Sequence, residues 1–388
     1  MNNKPNVIID KDDSEGFEVD WDTIEKEYRK SKRGRHRHSR NSSSSDSKSS
    51  GKKTKKKKIL IGILIFLAVL ILSAITAFFI LRHIGMEHMT THKLNMTVPD
   101  FVEDYKDGGK TLVYKGHTYQ FNEDLSSVLF MGIDNTELKE NAVSGTAGQA
   151  DALYLLVYNL KTGKIRTLSI NRDTLVDINL YNEVGDYKGS VRQQICLAYA
   201  FGDGKKSSAQ NQVRSVERLL YNIPINGYFA IDLSAIKILN DDIGGVTVTP
   251  NTSFGEFTAG QTVTLKGDMA EKFVRTRDTS LLDDNLRRME FQKLYLTSFA
   301  NQIVPSIKKD FSVPMKLYND SSEYSVTDIG IPEMIFLSSS LATRYSGLDL
   351  VGTKGAYKLR KEDSSAQYIL DQETFFETLL DLFYKKVE

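Results

Sequence analysis

Asp134, Asp151, Arg172 and Asp173 stand at the ends of apolar runs in VLFMGIDN, DALYLLVYNL and KIRTLSINRDT. Carboxylates delivered at strand ends supply hard oxygen ligands, and a guanidinium beside them can grip phosphate oxygens through its fixed fork. Together these residue types point to a site for a metal ion and an anionic, phosphate-bearing substrate. Asp151 is the sharper metal candidate because Ala150 and Ala152 leave room around it, and Asp134 completes the pair if the two strands are adjacent. Each feature has a plainer alternative. Strand-end aspartates often cap turns, and Arg172 with Asp173 also reads as a structural salt bridge.

A second cluster follows in FVRTRDTS and LRRMEFQ. If FVRTR is extended, Arg275 and Arg277 point the same way, since side chains alternate with period two. Arg288 and Gln292 are four apart and share a face near a helix start, where unpaired N–H groups favour an anion. Such donors suit a diphosphate, with an arginine-rich solvated surface as the alternative. All six histidines, at 36, 38, 83, 88, 92 and 117, precede both clusters. The body carrying the clusters therefore cannot build a Ser–His–Asp triad or a His-based zinc site. The one cysteine, Cys196, excludes an internal disulfide and a thiol metal cluster and reads as a small buried hydrophobe.

The elements that must position these groups are legible from periodicity. SVLFMGI is apolar enough for a central strand, and LYLLVYNL joins KIRTLSI through the turn Lys161-Thr162-Gly163-Lys164. TLVY and HTYQF form a small hairpin about Lys115-Gly116. SAQNQVRSVERLLYNI is a helix with Ser207 and Ser208 as cap candidates, GYFAIDL a strand and SAIKILNDD a short helix. VTVTP is a further strand, and a capping box of Asp268 and Glu271 leads a helix. A longer helix from Asp284 to about Ile303 buries Leu286, Met289, Leu296, Phe299 and Ile303. Interleaved strands and helices predict an α/β or α+β layered fold.

Composition places this body relative to a membrane. Ile59 to Leu81 is an uninterrupted apolar run of 23 residues, long enough to cross a hydrocarbon core of ~30 Å. KKTKKKK precedes it, so the positive-inside bias puts residues 1–58 in the cytoplasm and 82–388 outside. The run starts too late for a signal peptide and lacks a flank resembling a cleavage site. Residues 1–58 carry 17 Lys/Arg against 10 Asp/Glu and read as a disordered tail; the segment after Leu81 has 34 against 40. A mildly acidic body excludes a nucleic-acid binder steered by bulk charge.

The motifs VLFMGIDN, SINRDT, ICLAYAFG, INGYFAIDLSAIKILNDDIGGVTV, LKGDMAEKFVRTR and the Arg288-to-Gln292 segment, in that order after an anchor, resemble the LytR-CpsA-Psr family of Gram-positive envelope proteins. The resemblance implies an α/β (α-β-α layered) catalytic domain with a central mixed sheet, after a single transmembrane helix. It implies a phosphotransferase that moves a glycopolymer (teichoic acid, capsule or another wall polysaccharide) from undecaprenyl diphosphate onto a peptidoglycan sugar hydroxyl. Carried over, Asp134 and Asp151 are the Mg²⁺ (or Mn²⁺) ligands. Arg172, Arg275, Arg277, Arg288 and Gln292 clamp the diphosphate, and Asp173 is the candidate base. Partners are then the lipid-linked donor, peptidoglycan and the plasma membrane, with no nucleic acid. The prenyl tail needs an apolar channel, expected from AIDLSAIKIL and FQKLYLTSF. Two alternatives stand beside this reading: a polyprenyl-diphosphate phosphatase, and a non-catalytic envelope receptor or regulator binding lipid-linked polymer. Asn171 stands where the family commonly has proline, and Asn135 and Gln149 where arginine is common. The expected division is a basic cytoplasmic tail (1–58), a transmembrane helix (59–81), an extracellular stalk with a hairpin (82–125), the catalytic domain (126–303) and a stretch (304–388) that completes the domain or is a small appendage.

Overall fold

The computed structural model describes residues 50–90, 93–135, 137–138, 142–276, 284–360 and 365–387. It divides into two units, Met1–Val69 and Leu70–Glu388. No proline interrupts the apolar run or its flanks, so one helix spans Ser50–His88, beyond 59–81 at both ends. Among the described residues, its stretch Lys56–His88 is long and apolar enough to cross a membrane. Within the second unit, the last turns of this helix pack on the helix Ile331–Arg344. A Cβ on Gly85 would lie 2.1 Å from the Pro332 carbonyl oxygen, so glycine permits the approach. Arg82 Nε donates to Ser339 Oγ at 3.0 Å, and the His88 ring pairs with Glu333 at 2.7 Å.

The centre of the body is a six-stranded mixed sheet in the order Ser325–Thr327, Gly227–Ile231, Leu125–Ile133, Ala150–Asn159, Lys164–Ile170, Gly347–Gly352. Leu125–Ile133 pairs antiparallel with Ala150–Asn159 and parallel with Gly227–Ile231. Alternation sends Leu129, Met131, Leu153, Leu155 and Val157 into the main core, with Phe375, Phe376 and Leu379 of the helix Gln372–Phe383. Each such fully buried side chain contributes roughly 1.5–3 kcal/mol. The opposite face carries Phe130, Gly132, Ala152 and Tyr154. The helices Leu233–Asp242, Asp268–Arg275 and Asp284–Lys309 accompany a second apolar cluster that includes Phe273, Val274, Phe291 and Tyr295.

The segments outside 126–303 build part of the same unit. Gly347–Gly352 runs parallel to Lys164–Ile170 at the sheet edge, and Tyr384–Lys386 pairs with His117–Phe121. That pairing closes a four-stranded sheet with Thr111–Tyr114 and Asp104–Lys106. The turn Lys115-Gly116 has positive φ at both residues, as a two-residue hairpin requires.

Several local expectations differ from the structure. Arg275 ends the helix Asp268–Arg275 and does not lie on an extended segment. Ala270, Phe273 and Val274 are buried at helical spacing, and that face decided the conformation. Arg277 lies outside the described residues. The residue before the first helical position is Gly267, and Asp268 accepts from Lys237 Nζ at 2.8 Å in place of a capping box. Asp203, ahead of Ser207 and Ser208, accepts from the backbone N–H groups of Lys205 and Ser207 and so caps the helix Lys206–Leu219. The long helix continues through Pro305 to Lys309, because the buried Val304 and Ile307 offset the lost hydrogen bond. Its buried positions are Arg288, Phe291, Tyr295, Val304 and Ile307, whereas Leu286 is 42% exposed.

Candidate functional site

Gly132 pairs with Ala152 and Ile133 with Ala150, leaving Asp151 as the extra residue of a β-bulge. In a regular strand, Asp151 and Ala152 would face opposite sides of the sheet. The bulge turns both toward one cavity of about 350 Å³. Ala152 and Gly132 do leave room there, whereas Ala150 is buried in the main core. Asp134 follows the neighbouring strand, and its carboxylate accepts from the Gln149 backbone N–H at 2.7 Å. Adjacent strands therefore bring Asp134 and Asp151 into the same cavity wall.

Two guanidiniums converge on Asp151. Arg172 Nη1 donates to Oδ1, and Arg288 Nη1 lies 3.3 Å from Oδ2. Arg172 Nη2 also donates to Gln149 Oε1 at 2.7 Å, and its Nε lies 3.5 Å from Asp173 Oδ1. The neutral Gln149 thus takes a guanidinium contact, and its side chain also receives the Cys196 thiol at 3.7 Å. Burial opposes the Arg172 charge, but the Asp151 and Asp173 carboxylates hold its pKa above the usual range. Burial pushes the Cys196 thiol up to about 12, so it is a neutral buried group beside Gln149 and Arg172.

The arginines occupy different depths. Arg288 is 5% exposed and lines the cavity. Arg275 also lines it, with its head at the exposed rim and Nη1 paired with Glu271 at 2.7 Å. Arg172 is not in the wall; it sits behind Asp151. Gln292 is in the wall, but its amide is bonded within the protein: Tyr154 OH donates to Oε1 at 3.0 Å, and Nε2 donates to the Val274 carbonyl at 3.1 Å. Those bonds tie the long helix to the sheet and to the end of the helix carrying Arg275.

Asp173 is buried in a network that spans distant sequence. Its backbone N–H donates to Asn171 Oδ1 at 3.0 Å, and Tyr357 OH donates to its Oδ2 at 3.4 Å. Asn171 Nδ2 in turn donates to Tyr357 OH at 2.8 Å. Burial raises the Asp173 pKa against the opposing pull of Arg172 and Arg288. Nothing in the sequence signalled Tyr357, which is brought in from the C-terminal hairpin Gly355–Leu359 and Ala366–Leu370. Tyr154 had a weak signal: period two from Ala152 places it on the same face.

Away from the charged end, the cavity is apolar. Ile231, Leu233, Ile236 and Leu239 line one side, and Tyr295, Leu296 and Phe299 another. These residues come from AIDLSAIKIL and FQKLYLTSF. One cavity therefore presents carboxylates and guanidiniums at one end and hydrocarbon at the other.

The sequence profile of the LytR_cpsA_psr family matches residues 89–380. The chain belongs to the LytR-CpsA-Psr family. Bacillus cereus TagU, a polyisoprenyl-teichoic acid–peptidoglycan teichoic acid transferase, is 34% identical over 155 residues, which is 39% of this chain and 44% of that protein. The Bacillus licheniformis counterpart is 32% identical over 160 residues, 40% of this chain and 45% of that protein. The match thus spans less than half the length of these curated relatives. The α/β layers with a central mixed sheet are the LytR-CpsA-Psr fold: the B. subtilis TagV crystal structure superposes with TM-score 0.52 at 24% identity, covering 67% of this chain and 96% of that one. A Streptococcus agalactiae protein gives TM-score 0.54 at 22% identity, covering 68% and 90%.

Among the described residues, no group of three or more His, Cys, Asp or Glu is arranged to hold a metal ion. Asp134 and Asp151 are two hard oxygen donors in one wall. They fit an ion such as Mg²⁺ whose remaining ligands are phosphate oxygens and water.

Proposed function

We propose that this chain is a membrane-anchored phosphotransferase that takes a glycopolymer from a polyprenyl diphosphate and joins it to a peptidoglycan sugar hydroxyl as a phosphodiester. The observation that carries this reading is the division of one cavity into a charged end and an apolar end. A lipid diphosphate has the same two parts in the same order. Arg172, Arg275, Arg277 and Arg288 supply the positive charge for the diphosphate. Ile236, Leu239, Leu296 and Phe299 supply the wall for the prenyl tail. The Ser50–His88 helix, with its N-terminus in the cytoplasm, keeps the body beside the bilayer that holds the donor. Phe311, just beyond the long helix, contacts Phe78 of the apolar helix, so the helix wall runs from the charged end toward the anchor.

Outside the cell no ATP is at hand, and a pre-energised diphosphate is a sensible donor. The acceptor hydroxyl oxygen forms a bond to the phosphorus that carries the glycopolymer. The bridging P–O bond breaks, and polyprenyl monophosphate leaves with the electron pair. Asp173, which lies behind the cavity wall beside Arg172, takes the hydroxyl proton through one bridging water; its raised pKa makes it a better base than an exposed aspartate. Fixed guanidiniums offset the charge that develops on the phosphoryl oxygens and the leaving phosphate. Asp134 and Asp151 would hold Mg²⁺ or Mn²⁺, whose contribution when bound is to polarise the phosphoryl oxygen.

The test is transfer by the full chain in liposomes, supplied with a lipid-diphosphate glycan, peptidoglycan oligomers and Mg²⁺. The expected product by mass spectrometry is a glycan–phosphate–peptidoglycan adduct. Release of lipid phosphate without adduct would identify a phosphatase; no consumption of donor would leave a receptor and sink the enzymatic reading.

A further inference from the structure

The long helix Asp284–Lys309 ends beside the point where the apolar helix leaves the bilayer. Phe311, two residues past that end, meets the Phe78 ring edge-on, with centroids 6.1 Å apart. Both rings belong to the unit Leu70–Glu388. Phe78 stands three residues before Leu81, the last of the apolar run, which is roughly 4.5 Å along a helix axis. The run of 23 residues measures about 34 Å against a hydrocarbon core of ~30 Å. Phe78 therefore lies level with the border of the hydrocarbon, and Phe311 lies beside it. The joint that sets this height is built in. Arg82 bonds Ser339 and lies over the Phe336 ring, Gly85 lies against Pro332, and His88 pairs with Glu333, which is 8% exposed. All these partners are on the helix Ile331–Arg344, so contacts spread over two turns hold the body at one height.

We propose that the corner at 308–311 is a second membrane contact, which binds the headgroups of anionic phospholipids in the leaflet on the body's side. The inference is separate from the transfer chemistry and rests on the apolar helix alone. Lys308 and Lys309 form the last turn of the long helix; both are exposed, and neither is in an ion pair among the described residues. Asp310, between them and Phe311, is engaged locally: its carboxylate accepts from the Ser312 N–H at 2.9 Å and from Ser312 Oγ at 2.7 Å. Phe311 is 42% exposed although Phe78 covers one side of it. Lysines in a last helical turn also complement the helix dipole, and one exposed phenylalanine by itself needs no explanation. Depth decides between the readings. An apolar ring at the hydrocarbon border sinks its free face into acyl chains, and neighbouring lysines run their stems along that border to reach phosphate. Each lysine near an anionic surface strengthens such a contact about fivefold. The contact also sets the height of the cavity. Phe299, at its apolar end, is on the same helix, ten residues and roughly 15 Å before Lys309. The corner thereby fixes the distance of that end from the headgroups.

The experiment uses the full chain in liposomes with a tryptophan reporter at the corner. Trp21 is the only tryptophan in the sequence, so Trp21→Phe combined with Phe311→Trp gives a single reporter. The vesicles are phosphatidylcholine with and without phosphatidylglycerol, brominated at shallow or at deep acyl positions. The expected result is blue-shifted emission, quenched about twofold by shallow bromines and little by deep bromines or aqueous iodide. Phosphatidylglycerol should increase the bromine quenching, and Lys308→Glu with Lys309→Glu should remove that increase. Red emission with strong iodide quenching would place the corner in water and overturn the contact. So would a blue-shifted reporter that neither bromine nor iodide reaches, the mark of a second copy of the chain seated there. Bromine quenching that ignores phosphatidylglycerol while both lysines are present would overturn the headgroup assignment. None of these readings uses turnover, so loss of the transferase reading leaves them decisive.

Discussion

Arg172 and Arg275 belong to the same charged end, but the fold uses them differently. Arg172 lies behind the cavity wall with 18% of its side chain exposed, bonded to Asp151, Gln149 and Asp173. Arg275 stands at the rim with 56% exposed, and the partner found for it is Glu271, one turn back on its own helix. A buried guanidinium fixed by three groups is preorganised and costs little to hold in place at the moment of reaction. An exposed one must be drawn from water and from Glu271 before it contributes. Position in the fold therefore separates a framework arginine from a contact arginine.

The largest effect should come from removing the centre of the framework. Asp151→Ala leaves Arg172 and Arg288, with side-chain exposures of 18% and 6%, without their shared carboxylate. We expect unfolding free energy to fall by about 3 kcal/mol in urea titrations, together with loss of transfer. Unchanged stability would show that the cluster is solvated and would remove the distinction between inner and outer arginines.

Next in size is the comparison itself. Arg172→Ala should lower turnover by about 10²–10³-fold, the cost of losing a preorganised charge donor. Arg275→Ala should cost only about tenfold, because an exposed and already paired group contributes less. Equal losses in steady-state assays would erase the contrast.

The smallest effect is the pH response of Asp173. Burial raises its folded pKa above the unfolded value, so the folded state holds this proton more tightly. Its favourable contribution is thus complete below the unfolded pKa and disappears as pH rises through the raised folded pKa. Asp173→Asn should accordingly be more stable than wild type at neutral pH, by thermal melts, and less so below the unfolded carboxyl range. It should also lose the rise in transfer rate that accompanies Asp173 ionisation. A variant less stable at neutral pH would mean that the Arg172 contact outweighs burial.

Much of the architecture was legible because it follows from local periodicity. The short, nearly continuous apolar runs SVLFMGI and LYLLVYNL made strands, and Lys115-Gly116 made a hairpin turn. The helix stripes were legible only roughly. Leu286 and Leu296 looked like core, but the long helix is rotated so that Arg288 is buried and Leu296 and Phe299 line a cavity. An apolar residue facing a cavity and one facing core have the same sequence signature. FVRTR misled for a related reason: Phe273 and Val274 suit a strand, but with Ala270 they complete a helical face.

By itself the sequence determined the apolar helix, the types of charged residue available and the strands that carry them, since charge and the length of an apolar run are local properties. Tertiary structure alone decided which groups meet. The bulge that aims Asp151, the burial of Arg288, the placing of Arg172 behind the wall and the arrival of Tyr357 at Asp173 all depend on packing between segments far apart in the chain. A residue's immediate neighbours impose no such distances; they are set when the sheet closes and the long helix settles across it.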